Sequence, residues 1–188
     1  MKIKAVDDKK DLFIVENILP KSLLNNIEKL PLNDLPWEYQ PMQENWPRRK
    51  LLPDQIEYLI DFDKVLQNEF LDLVEDQVGI KFVNKIAFSS FWLDLEGFDC
   101  AIHEDGAERG YTPYMAMQLY LTESYDSLGT VFYNDSKGKT IRYAFPYRQN
   151  TGYLMLNRPG QWHGMLVKVP QEHLRLSSYT YFGQFENK

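Results

Sequence analysis

The chain has 188 residues, 44% of them hydrophobic and 14% aromatic, and its 27 Asp and Glu against 21 Lys and Arg give a net charge of −6. That length suits one domain with a sizeable core, and the acidic balance argues against a general nucleic-acid binder, which presents a basic face. A single cysteine, Cys100, rules out an intramolecular disulfide. With no apolar run long enough to span a bilayer and no signal-peptide core at the start, the expectation is a cytoplasmic protein without a membrane partner.

Residues 12–15 are a short apolar run with strand character. Residues 22–30 read as a helix, with Leu23, Leu24, Ile27 and Leu30 on one face. Pro31, Pro36, Pro41 and Pro47 make 31–53 an irregular loop, and Trp37 and Trp46 suggest that part of it packs on the body. Within it, Arg48-Arg49-Lys50 reads as a solvated run. A second helical stretch opens at Pro53. Its best part is 63–76, where Val65, Leu66, Phe70, Leu73 and Val74 fall in register, and Gly79 supplies a stop.

From Lys81 the period changes. Segments 86–95, 115–121, 130–133, 140–145, 152–157, 164–169 and 174–182 read as strands, separated by turn signals such as Glu96-Gly97, Asp135-Ser136-Lys137-Gly138 and Arg158-Pro159-Gly160. Helices followed by a run of short strands predict an α+β chain. The expected fold is a jelly roll, or double-stranded β-helix, with N-terminal helices packed on one sheet. On this reading 1–188 is a single domain, with 1–80 as helical support and 81–188 as the jelly-roll core.

Candidate chemistry begins at Ala101-Ile102-His103-Glu104-Asp105-Gly106. By itself this is as well read as a charged turn. On a strand, however, His103 and Asp105 at i and i+2 would share a face and could hold one metal, with Glu104 pointing outward. His163, sixty residues on, follows the turn 157–162 and is the best third ligand. His173 is the rival. Two histidines and a carboxylate on one side of a metal leave the other side open, the pattern of non-haem Fe(II) oxygenases. Twelve residues after His163 come Arg175 and Ser177, again at i and i+2. A guanidinium can grip a carboxylate bidentately and a hydroxyl can add a bond. A structural ion pair of Arg175 with Glu172 or Glu186 is the plainer alternative.

With those residues in order, the sequence resembles the Fe(II)- and 2-oxoglutarate-dependent dioxygenases, in particular their prolyl-hydroxylase-like branch. Their H-x-D, distal H and R-x-S are matched by His103-Glu104-Asp105, His163 and Arg175-Leu176-Ser177. Leu119-Tyr120-Leu121 with Gly129-Thr130-Val131-Phe132 is similar to two further strands of that branch, and 152–159 and 13–20 are similar to others. The resemblance implies Fe(II) on His103, Asp105 and His163 as the catalytic centre. It also implies 2-oxoglutarate as cosubstrate, its tail on Arg175 and Ser177, and O2 as co-reactant, with release of succinate and CO2. Val131 stands where the branch has an acidic residue and Cys100 where it often has a tyrosine; both weigh against a prolyl substrate.

The implied substrate is a protein or peptide side chain, or a small metabolite. Base-repair relatives carry a further arginine that 179–182 does not offer, so nucleic acid is not expected. The segments 31–53 and 104–113 would flank the entrance. The alternative from another class is a non-catalytic, cupin-like metal or small-molecule binder. The first cupin motif usually supplies two histidines and a glutamate, against His103 alone here.

Overall fold

The computed structural model describes residues 1–39, 47–105, 114–123 and 125–187. Of the two segments expected at the entrance, 104–113 therefore lies mostly outside the described residues, with Gly106, and 31–53 lacks only 40–46, with Pro41 and Trp46. The strands are β1 (Lys2–Ala5), β2 (Leu12–Glu16), β3 (Glu38–Tyr39), β4 (Arg48–Leu51), β5 (Ile80–Phe82), β6 (Phe88–Asp94), β7 (Tyr114–Tyr120), β8 (Thr130–Tyr133), β9 (Ile141–Ala144), β10 (Thr151–Leu156), β11 (Trp162–Met165) and β12 (Arg175–Asn187). They form two sheets. The larger runs β1-β2-β10-β7-β12-β6-β4-β3, with β5 also on β12, and the smaller runs β11-β8-β9. All pairings are antiparallel.

Side-chain alternation gives the large sheet two different faces. On β7, Met115, Met117 and Leu119 join Phe91, Leu93, Leu176 and Phe182 in a core shared with the helices. Ala116 and Tyr120 point the other way, into a second core with Phe132, Phe145, Tyr153 and Met165 between the sheets. Helix α1 (Lys21–Glu28) contributes Leu23 and Ile27 to the first core. So does a longer helical stretch made of α2 (Phe62–Val65), a π-turn (Leu66–Phe70) and α3 (Leu71–Val78), which Gly79 ends.

The π-turn changes the expected helix face. Its wider turn brings Leu71 round to the side of Leu66 and Phe70, so all three are fully buried, while Leu73 is only half-buried. Segment 31–53 also departs from expectation. Arg48-Arg49-Lys50 is not a solvated run but the start of β4, paired with β6 in the register Arg48↔Asp94. The prolines around it mask a strand whose charge is matched by a buried carboxylate on its neighbour. The first 80 residues thus supply β1 to β4 as well as helices. At the other end β12 runs on past 182. Gly183 adopts a left-handed backbone at φ 77°, and the register shifts between Tyr181 and Gln184, so the glycine marks a bulge and not a stop.

Met117, fully buried on the helix-facing side, reports this packing. Met117→Ala is expected to lower unfolding free energy by roughly 2–5 kcal/mol, read from the denaturant midpoint.

Candidate functional site

His103 and His163 sit directly opposite one another. The His103 N–H donates to the His163 carbonyl at 2.9 Å, and the His163 N–H returns the bond to His103 at 2.9 Å. Paired residues of an antiparallel bridge project to the same side, and here the two rings come to 4.3 Å between centroids. This differs from a tip of regular strand. Residues 95–102 are irregular, Ala101 is exposed, and His103 joins the small sheet through that isolated bridge, beside a bond from the Met165 N–H to the Cys100 carbonyl at 3.0 Å. His163 follows the turn as expected and lies inside β11, which starts at Trp162, two residues before the strand expected from Gly164. Gly164 permits the approach. A Cβ there would stand 2.7 Å from the Cys100 carbonyl oxygen, closer than carbon and oxygen can come.

The ring nitrogens are oriented by the backbone. Nδ1 of His103 lies 2.8 Å from the Ala101 carbonyl and Nδ1 of His163 lies 2.9 Å from the Gln161 carbonyl. A carbonyl only accepts, so each Nδ1 carries its proton and each Nε2 turns towards Asp105. The Asp105 Oδ1 lies 3.4 Å from His103 Nε2 and 3.9 Å from His163 Nε2. The three donor atoms lie within 4.8 Å of one another. Ligands each about 2 Å from one ion are up to roughly 4 Å apart, so this set needs only a small contraction to close on a divalent metal. The nitrogen and oxygen donors suit iron, zinc or nickel, and leaving one side open is the two-histidine, one-carboxylate arrangement.

The surroundings stiffen the set. Tyr179 donates its hydroxyl to Asp105 Oδ2 at 2.7 Å. Phe132 stacks on the His163 ring at 5.1 Å. Glu104 is no outward spacer: it is half-buried, and its Oε1 accepts from the Gly160 N–H at 2.6 Å, which ties the motif to the turn before β11. Burial would push the Asp105 carboxyl up, but His103, His163 and Tyr179 hold it down to about 2. The bond to Asp105, helped by Cys100, raises the His103 ring to about 10. Burial pushes His163 down. The trio is thus anionic at Asp105 and neutral at His163, and an ion binding there displaces the His103 proton.

The trio opens on a cavity of about 1020 Å3 whose wall includes Arg48, Trp92, Gln118, Thr130, Tyr153 and Arg175. The Gln118 and Tyr120 side of β7, not the methionine side, faces this space. Arg175 is 2% exposed and pairs with neither Glu172 nor Glu186. Its Nη1 donates to Asp94 Oδ2 at 2.6 Å, its Nε to the Leu128 carbonyl at 2.9 Å and its Nη2 to Thr130 Oγ1 at 3.3 Å. Ser177 shares its strand face but does not line the cavity. It accepts from Gln118 Nε2 at 3.1 Å, while Gln118 Oε1 accepts from Thr130 at 2.7 Å. The hydroxyl beside the guanidinium is therefore Thr130. His173 packs against Tyr125 at 4.5 Å, outside the trio.

Sequence reasoning gave no role to Asp94, Thr130 or Tyr179 and left open whether the Gln118 side of β7 or the methionine side lines the pocket. Only the pairing of strands far apart in the chain reveals the partners of these residues.

No protein-family model and no curated protein matches the chain. Solved structures do. Similar ones include HygX from Streptomyces hygroscopicus with nickel, 2-oxoglutarate and hygromycin B bound (15% identity, 93% of this chain and 83% of that one, TM-score 0.61). A Pseudomonas putida prolyl-4-hydroxylase matches at 18% identity over 95% and 96% of the two chains, with a TM-score of 0.62. The non-heme alpha-ketoglutarate-dependent carbocyclase SnoK from nogalamycin biosynthesis matches at 11% identity over 93% and 81%, with a TM-score of 0.65. The chain has the jelly-roll, double-stranded β-helix fold of these oxygenases.

Tyr179→Phe removes the hydroxyl from Asp105 without changing the ring. It is expected to weaken divalent-metal binding by about 10–100-fold, measured by competition titration against a chromogenic chelator.

Proposed function

We propose that this protein is an Fe(II)- and 2-oxoglutarate-dependent oxygenase. His103, Asp105 and His163 hold the metal, and Arg175 with Thr130 and Gln118 receives the tail carboxylate of the cosubstrate. One observation carries the reading. Two imidazole nitrogens and a carboxylate converge at one part of a cavity whose wall also carries a buried, cationic arginine. A metal-chelating dicarboxylate matches both. Bound there, iron and 2-oxoglutarate would supply oxidation of an unactivated C–H bond by O2, with succinate, CO2 and a hydroxylated product leaving.

The chain's own residues orient and shield. The carbonyls of Ala101 and Gln161 fix the tautomer of each histidine, and Tyr179 fixes the carboxylate. Phe132 and Tyr153 give the site apolar walls that limit water. Arg175 presents a guanidinium that burial opposes but that Asp94 keeps charged. Three of its five N–H groups are used among the described residues, leaving two for a ligand. Ser177 acts through Gln118, which it holds against the cavity.

The primary substrate is a small molecule or a protein side chain. HygX has hygromycin B bound and the Pseudomonas protein is a prolyl-4-hydroxylase, so the fold serves both classes. About 1020 Å3 exceeds what a five-carbon dicarboxylate fills and leaves room for a second ligand.

Adding Fe(II) and 2-oxoglutarate without oxygen is expected to give a weak visible charge-transfer absorption, and air then yields succinate. His103→Ala and Asp105→Ala should each abolish the absorption. Arg175→Ala should retain metal and lose 2-oxoglutarate. Metal binding with no succinate under any candidate substrate would favour a non-catalytic binder.

A further inference from the structure

Behind the metal-ligand trio, one row of the large sheet carries three charges across three adjacent strands. The register places Arg48 of β4 opposite Asp94 of β6, and Asp94 opposite Arg175 of β12. Asp94 is fully buried and lies between the two guanidinium groups. Its Oδ2 takes Arg175 at 2.6 Å, and its Oδ1 stands 2.8 Å from Arg48 Nε, an ion pair by distance without the alignment of a hydrogen bond. The Arg48 guanidinium also lies over the rings of Trp92 at 4.4 Å and Phe98 at 4.6 Å. Both arginines line the cavity.

Counted over these three side chains, two cations flank one anion, so the row itself carries one positive charge more than negative. Arg175 and Asp94 alone would be a neutral pair. A carboxylate approaching Arg175 would then meet the Asp94 charge at nearly the same distance, and in a buried site that repulsion is not screened. Arg48 offsets Asp94 from its other side, so Arg175 keeps its attraction for a ligand anion. Without Asp94, two buried guanidinium groups would face one cavity with nothing between them.

We propose that Arg48 and Asp94 belong to the cosubstrate-tail site. Arg48 is its second cation and Asp94 its built-in counter-charge, and together they tune the row to accept one carboxylate. This rests on the 2-oxoglutarate reading above and adds two positioning residues to it. A purely structural role for the pair predicts loss of stability on any substitution, with no ordered effect on ligand charge.

The test is calorimetric titration of the nickel-loaded protein with 2-oxoglutarate and with pyruvate, which chelates metal through the same 2-oxo acid head but has no tail carboxylate. Arg48→Met should weaken 2-oxoglutarate binding by about tenfold or more, and Asp94→Asn should tighten it. The double variant, which again has one surplus positive charge, should return close to wild type. Arg48→Lys should keep most of the affinity, which a role confined to stacking between two rings would not allow. Pyruvate affinity should stay nearly constant throughout. Should Asp94→Asn fail to fold, Arg48→Met against the double variant makes the same comparison, with recovery expected and continued loss contradicting the inference. Shifts of the same sign in both single variants, or equal shifts for pyruvate, overturn it. So do unmoved 2-oxoglutarate affinities in a wild type that binds it. A nickel-loaded wild type that binds no 2-oxoglutarate overturns the underlying reading as well.

Discussion

The reciprocal pair of backbone hydrogen bonds between His103 and His163 is the constraint on which the site depends. Residues 95–102 have no regular strand of their own, so His103 is held to the small sheet by this bridge and by the Met165 N–H, which donates to the Cys100 carbonyl at 3.0 Å. The bridge sets two side chains sixty residues apart on one side of one ladder, and the neighbouring carbonyls of Ala101 and Gln161 then turn both Nε2 atoms the same way. Asp105 follows two residues later and is caught by Tyr179 from the opposite sheet. A candidate metal site built in this way draws on both sheets at once. Its geometry is therefore tied to the packing of Phe132, Tyr153 and Met165 between them.

The second constraint is electrostatic. Arg175 would be costly in a cavity with almost no exposure unless its charge were answered, and Asp94 answers it. The answer comes in a shape that leaves capacity for more. The ion pair is shared with Arg48, and hydrogen-bond donation runs from Arg175 through Thr130 and Gln118 to Ser177, with no buried polar atom of that chain left over. Such a network holds the guanidinium plane still before any ligand arrives, which reduces the ordering that binding must impose.

Much of this was legible in the sequence, for physical reasons. Alternation and turn chemistry located most strands after residue 81 within a few residues, and the spacing of His103, Asp105, His163 and Arg175 survived as spatial proximity. What escaped depended on long-range pairing. Arg48 looked solvated because its partner Asp94 is 46 residues away in the chain (94 − 48) and reaches it only through the β4–β6 register. Ser177 looked like the cosubstrate hydroxyl because strand periodicity gives its face correctly, but it cannot show that Gln118 from the adjacent strand takes its place on the wall. Leu73 lost its core position to Leu71 through a π-turn, a change in helical period that the apolar pattern does not encode.

The decisive quantity is where metal and cosubstrate sit relative to these side chains. A crystal structure of the nickel-loaded protein with 2-oxoglutarate measures this in one experiment. The expected result is His103 Nε2, Asp105 and His163 Nε2 in one coordination sphere, the 2-oxo acid head on the open side, and the tail carboxylate on Arg175 beside Thr130. Metal held by His173 or by any set lacking His163, or a tail carboxylate turned away from Arg175, would contradict it.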